Sequence, residues 1–404
     1  VSLPMTTYAA NWYLEDGSVT VNADNSGQTV TQGSGSAVPD EAPVITQRES
    51  SVETGNTIGI STSDNATANV TIKDINIKSS KDAIDVTGSS SANITLEGDN
   101  KIFSETGSAL HISDGNVTIN GSGSLKTEIQ DEPSGYNHNA KIGSHEKEDM
   151  SGSIHITGDA TVKTDGNIAP DCGGDGAGIG SGEDGEMSGN IVIDGNAQVE
   201  VSSNDRGAGI GSGDDGNLSG NIMIGGNAQV SATGAENSAG IGAGDDGNFR
   251  GSITIDGNAK VTAKAGGDHN GSDGSGIGTG DEGKFTGTVT IGGNAAVVAA
   301  GSDEGCGIGS SDWKYMNGII IIRDHAKVTA YAGNRGAAIG SEDDWDMTGK
   351  IIIVGNAIVN TGVVDDAGNV LSNRIGYIGG GENSNHDSSK GHYILGSDLS
   401  LIHI

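Results

Sequence analysis

The sequence predicts an all-β chain wound as a right-handed parallel β-helix, a solenoid of about ten or more coils with three short strands in each. Three observations predict it. An Ile-Gly pair recurs along the chain, with its isoleucine at Ile142, Ile179, Ile210, Ile241, Ile277, Ile308, Ile339 and Ile378. Apolar residues follow each pair in a constant register. Only 33% of residues are apolar and 3% aromatic, while 70 of the 404 are glycine, which suits a thin core repeated many times better than one thick globule.

The spacings between successive isoleucines are 37, 31, 31, 36, 31, 31 and 39 residues. Eight positions after each of the first seven stands a bulky apolar residue: Met150, Met187, Leu218, Phe249, Phe285, Met316 and Met347. Four further on stands a β-branched one: Ile154, Ile191, Ile222, Ile253, Val289, Ile320 and Ile351. Every insertion therefore falls in the stretch before the next Ile-Gly pair. Within a unit, Ile191-Val192-Ile193 alternates with period two, Asp194-Gly195-Asn196 breaks the alternation, and Ala197-Gln198-Val199-Glu200-Val201 resumes it. That is strand, tight turn, strand, with the Ile-Gly segment as a short third strand.

Taken in chain order, residues 1–10 read as the tail of a secretory signal peptide, with Thr7-Tyr8-Ala9 as a small-x-small cleavage site. Residues 11–69, with Trp12 and Tyr13, read as irregular first coils and a cap. Shorter coils at Val70-Thr71-Ile72, Ile94-Thr95-Leu96 and Val117-Thr118-Ile119 open a regular array over 70–378. Residues 379–404 read as a truncated terminal coil, and 399–404 resemble translated sequencing-adaptor read-through. Coils stacked at the inter-strand spacing of about 4.8 Å make a rod about 50 Å long. Glycines serve the corners, where the backbone needs positive φ or close approach. Asn196, Asn227, Asn258, Asn294 and Asn356, with Asp159 and His325 at equivalent places, predict a ladder of side chains hydrogen-bonded from coil to coil.

Asp and Glu number 54 against 21 Lys and Arg, a formal charge of −33. A surface so acidic repels phosphate, so nucleic acid and anionic membrane are poor partners. No apolar run approaches the roughly 18 residues needed to cross a bilayer. Two cysteines, Cys172 and Cys306, cannot form a disulfide framework. The expectation is an extracellular monomer, secreted or displayed on a cell surface.

Much of the charge is ordered. Position four after the isoleucine is acidic in every coil, at Glu146, Glu183, Asp214, Asp245, Asp281, Asp312, Asp343 and Glu382, and position five adds Asp184, Asp215, Asp246, Glu282 and Asp344. Stacking holds these carboxylates roughly 5 Å apart. Either they form a solvated edge that keeps the rod soluble, or a hard cation relieves the repulsion. Oxygen ligands in such density suit Ca²⁺, with Glu183, Asp184, Asp214, Asp215, Asp245, Asp246, Asp281 and Glu282 as candidate ligands. In two coils the same loop carries Trp313, Tyr315 and Trp345 beside Asp312, Asp343 and Asp344. Aromatic rings with hydrogen-bond acceptors make a sugar-stacking platform; the alternative is that they cover the loop near the end of the repeat.

Catalysis is disfavoured. The nine histidines form no H-x-x-x-H pair and no Cys/His cluster, and no serine sits in a G-x-S-x-G turn. A catalytic site breaks a repeat once, whereas these carboxylates are the repeat. Arg206, Arg335 and Arg374, each four residues before an Ile-Gly isoleucine, either pair with the acid ladder or serve a lyase acting on an acidic sugar. No catalytic residue is assigned.

The tandem GAGIGSG (176–182) and GNIVIDGNAQV (189–199) units, preceded by NWYLEDGSVTVNADNSGQTVTQ (11–32), resemble the secreted Gram-positive right-handed parallel β-helix proteins described as carbohydrate-binding domain-containing proteins. The resemblance covers roughly residues 11–395. It implies a polysaccharide-lyase-like but non-catalytic protein that binds a polysaccharide or a plant or host glycan, in adhesion or substrate capture. It also implies calcium at Glu183, Asp214, Asp245 and Asp281. Two other readings stand beside it: a β-helix polysaccharide lyase or glycoside hydrolase, and a passive adhesin stalk.

Overall fold

In the computed structural model the described residues are all except 1–8, 64, 131–136, 166–173, 204, 268–271, 312–314, 334, 343–346, 366–369, 372–375, 380–391, 396–401 and 404. Three sheets of 13, 11 and 14 strands, called here sheets 1, 2 and 3, account for the architecture. Each coil visits sheet 3, then sheet 1, then sheet 2. The first complete coil is Ile58–Thr62, Thr67–Lys73 and Asn76–Ser79, and the eleventh is Ile378–Gly379, His392–Leu395 and Ile402–His403. Pairing between coils is parallel throughout, so the chain is a right-handed parallel β-helix about 50 Å long at about 4.8 Å per coil. Among the described residues the one helical segment is a 3₁₀ turn, Leu14–Asp16.

The N-terminal end is different. Val19–Asp24 joins sheet 3 in parallel with Ile58–Thr62, but then turns back through Gly27–Gln32 and Val38–Pro39 as an antiparallel meander. This covers one margin of sheet 3 with short strands that end in Pro39, which has no N–H to offer another edge.

The core follows the sequence register. Ile154, Ile191, Ile222, Ile253, Val289, Ile320 and Ile351 stack one above another in sheet 1, each buried. The bulky residues eight after the Ile-Gly isoleucine, from Met150 to Met316, form a second column of single bridges. Phe249 and Phe285 meet there edge to face, with centroids 4.8 Å apart. Because insertions fall only in the stretch before sheet 3, no column loses register.

At sheet 3 the repeat narrows to two residues per strand, Ile179–Gly180, Ile210–Gly211 and Ile241–Gly242. The pair is the apex of a tight turn: the Ala208 N–H donates to the Ser212 carbonyl within the coil, at 3.0 Å. Gly211 lies at φ 144°, and a Cβ there would stand 1.7 Å from the Gly242 carbonyl oxygen. Any side chain would push the coils apart. The isoleucine points inward and the glycine lets the next coil close over it.

The asparagine ladder forms as expected. Asn196 donates to Asp159 at 2.9 Å, Asn227 to Asn196 at 3.0 Å, Asn258 to Asn227 at 3.1 Å and Asn294 to Asn258 at 3.1 Å. Asn356 meets His325 at 3.2 Å. These amides hold the turn between sheets 1 and 2, so their role is structural.

Candidate functional site

The acidic loop lies between sheets 3 and 1, and the structure divides its two carboxylate positions. Position five, at Asp184, Asp215, Asp246 and Glu282, has left-handed backbone with φ of 58°, 55°, 53° and 49°. These side chains are exposed. Position four turns inward: Asp214 is 8% and Asp245 6% exposed, with Glu183 and Asp281 half-buried. An inward carboxylate here caps the turn. Asp214 accepts from the Asp215 N–H at 3.1 Å, Asp245 from Asp246 at 3.1 Å and Asp281 from Glu282 at 2.7 Å.

Each of these four residues also meets the loop of the preceding coil. Its N–H donates to the carbonyl of the residue four before that coil's Ile-Gly pair: Glu183 to His138 at 3.0 Å, Asp214 to Asp175 at 2.9 Å, Asp245 to Arg206 at 3.1 Å and Asp281 to Asn237 at 2.8 Å. The two ladders therefore interleave. His138 Nδ1 lies 2.8 Å from Asp175 and 2.6 Å from Glu183, and Arg206 Nε lies 3.9 Å from Asp245. Asp175 stands opposite Asp214 with its Oδ1 buried and without a hydrogen-bond partner.

Burial, with like charge above and below, makes these carboxylates hold their protons. Burial first, then Asp245, Asp175 and Asp215, push Asp214 up to about 8, with Arg206 opposing. Burial, then Asp281 and Asp246, push Asp245 up to about 7. Glu183 is also raised by burial, against the opposing pull of His138. Crowding of this kind is what a hard divalent cation would relieve, and among the described ladder residues the ligand atoms that converge are those of His138, Asp175 and Glu183, within 4.8 Å of one another. The exposed position-five groups are open to water.

Of the expected aromatic platform only Tyr315 belongs to the described residues, and it is 41% exposed. Trp313, Trp345, Asp312, Asp343 and Asp344 lie outside them, as do Arg374 and Cys172. Cys306 is buried, its Sγ donating to the Ser310 carbonyl. Arg206 and Arg335 pair with acids, Arg335 with Glu304 at 2.8 Å.

Two features escaped sequence reasoning. The first is the outer face of sheet 2, where a shallow groove of about 510 Å³ runs across successive coils. Thr161, Lys163, Gln198, Gln229, Lys260 and Lys327 line it, together with the exposed Val298. Lys101, Lys126 and Lys163 stand in register toward one end of the same face. The described strands of sheet 2 hold seven lysines against three carboxylates, an excess of four positive charges on a chain of −33. Alternation along each strand was the available signal, because it places lysine outward on the sheet opposite the acidic loop.

The second is a histidine cluster at sheet 3. Histidines that share no sequence motif meet in space: His111 and His145 stack with ring centroids 3.9 Å apart and planes 4° from parallel. Asp82, Asp85 and Glu148 surround them. The signal was the repeat itself, since His111 takes the place that Gly143 and its successors hold in later coils.

Fold and site together define a right-handed parallel β-helix with a narrow acid ladder at one edge and a basic, polar groove on another face. No family model, no curated protein and no solved structure matches the chain.

Proposed function

We propose that this protein is a non-catalytic, extracellular β-helix that binds an extended acidic polysaccharide along the outer face of sheet 2, with calcium stiffening the acid ladder. One observation carries the reading: the largest excess of positive charge among the described strands of the three sheets coincides with an open, elongated groove. Lysines supply long-range attraction to carboxylate or sulfate groups, while Gln198, Gln229 and Thr262 supply hydrogen bonds to hydroxyls. The groove runs along the rod, so the register row Thr161, Gln198, Gln229, Lys260, Ala296 and Lys327 offers polar groups from most successive coils, at about 4.8 Å steps, to a polymer lying along the axis.

Catalysis gains no support there. Among the residues lining the groove the one carboxylate is Glu200, and it is bound to Lys163 at 2.6 Å. Glycoside hydrolysis by the usual route needs two facing carboxyl groups. The Trp313, Tyr315 and Trp345 platform, with Asp312, Asp343 and Asp344, remains the competing contact surface for the same class of ligand.

The test is titration calorimetry against a polyuronate, a sulfated polymer and a neutral polymer, with calcium and with EDTA. The expected outcome is salt-sensitive binding of the acidic polymers, weakened about tenfold by K260Q/K327Q and unchanged by W313A/W345A. Silence across the panel, or loss on the tryptophan substitutions alone, overturns the assignment of the groove.

A further inference from the structure

We propose that Asp82, His111 and His145 form a site for a zinc-class divalent cation at sheet 3, separate from the acid ladder, with Asp85 beside it and Glu148 as the positioning residue for the two imidazoles. The residues come from three successive coils. Asp82 and Asp85 belong to the coil of Ile84–Thr87, His111 to that of Leu110–Ile112, and His145 and Glu148 follow Ile142–Gly143. Ligand atoms of Asp82, His111 and His145 lie within 4.8 Å of one another.

The hydrogen bonds sort the nitrogens into two sides. On one, His145 Nε2 is 2.7 Å from Asp82 Oδ1 and His111 Nδ1 is 2.8 Å from Asp85 Oδ1. On the other, a single oxygen, Glu148 Oε2, lies 2.8 Å from His111 Nε2 and 3.7 Å from His145 Nδ1. It also accepts from the His145 N–H at 3.2 Å. A carboxylate that holds the far nitrogen of a ligand imidazole, fixing tautomer and ring orientation, is the usual support of a histidine metal site. Two imidazoles and the Asp82 carboxylate, once the stack opens, are a donor set that suits zinc and related transition metals rather than calcium.

The placement argues for use as well as geometry. His111 is 7% exposed, where an unneeded imidazole is costly to bury. Its register partners are Asp85 below and Gly143 above, and Gly59 occupies the position one coil before Asp85. From Gly59 onward the described rungs of this column are glycine except at Asp85 and His111, where acid and imidazole stand in two adjacent coils. Two parallel rings cannot both aim nitrogens at one ion, so binding must open the stack.

The experiment uses the full chain stripped with EDTA, titrated with zinc by calorimetry and with cobalt(II) by visible absorption. The expected result is one equivalent of zinc that calcium at the same concentration does not displace, a cobalt spectrum of low-symmetry four-coordinate character, and a shift of the histidine ring-proton signals as the stack opens. H111Q/H145Q should lose that equivalent while H138Q, in the ladder, keeps it. E148Q should retain the stoichiometry and weaken affinity about 10–100-fold. Circular dichroism of each variant without metal separates loss of the site from loss of the fold, and D82N/D85N repeats the test with the imidazoles intact. No zinc uptake by folded wild-type protein, or an equal count in H111Q/H145Q, overturns the site and leaves the cluster a network of ion pairs. No polymer enters these titrations, so a silent glycan panel does not bear on the outcome.

Discussion

The early coils and the glycine-rich coils solve the same corner in two ways. In the complete coils sheet 3 starts with strands of five, four and three residues, Ile58–Thr62, Ile84–Thr87 and Leu110–Ile112, and then settles at two or three. In the wide part the position after the inward isoleucine or leucine is Gly59, then Asp85 and His111, and it has room for a side chain. In the narrow part the chain reverses so tightly that Gly143 and its successors meet the next coil at backbone distance. Glycine there is a steric demand, and side-chain chemistry collects where the demand is absent.

The sharpest way to break this comparison is substitution at equivalent positions. Gly211→Ala places a methyl 1.7 Å from a backbone oxygen at a φ that L side chains rarely adopt, and should destabilise by more than about 4 kcal/mol in urea unfolding. Gly59→Ala, whose Cβ would meet nothing closer than Thr20 Oγ1 at 3.7 Å, should change stability by less than about 0.5 kcal/mol. Equal effects would refute the steric account.

A pH profile comes next in size, and it reads both regions. Asp214 and Asp245 have folded-state values of about 8 and about 7 against an ordinary 3.8, so the native state keeps protons that the unfolded chain releases. Their contribution is fully present below about 4 and is lost as pH rises through 7 to 8. His111 is also raised: burial opposes its charge, but hydrogen bonds to Asp85 and Glu148 outweigh burial and lift it to about 9. Its contribution is fully present below 6.5 and is lost as pH rises through about 9. In EDTA the melting temperature should therefore fall from pH 4 to pH 9. D214N should flatten the lower limb and H111Q the upper. Calcium should flatten the lower limb if it occupies the ladder; identical slopes with and without it would count against calcium there.

Smaller effects test the stacked columns. Ile222→Val removes one methylene from a fully buried column and should cost about 1 kcal/mol, with no change in urea m-value. Asn227→Ala removes two rungs of an exposed amide ladder and should cost about 0.5 kcal/mol, seen as a small shift in urea midpoint. A larger loss at Asn227 than at Ile222 would reverse the ranking of core over corner.

Most of the fold was legible because a solenoid repeats its instructions. Period two within Ile191-Val192-Ile193, the constant offsets from the Ile-Gly isoleucine, and insertions confined to one stretch define three faces and their register without any long-range information. The candidate sites were less legible. Position four and position five look alike in sequence, yet one is an inward cap and the other an outward left-handed residue, a distinction made by the turn. Asp82 and His145 are 63 residues apart and share no motif, so nothing local announces their 2.7 Å contact.

The sequence by itself determined the period, the inward columns, the glycine corners and the charge on the acidic edge, because each is a short-range preference repeated until only one winding satisfies all copies. The tertiary structure decided which carboxylates are buried together, which lysines share a groove and which imidazoles stack. Those depend on how coils of unequal length lie over one another, and stacking brings together side chains that the chain itself holds far apart.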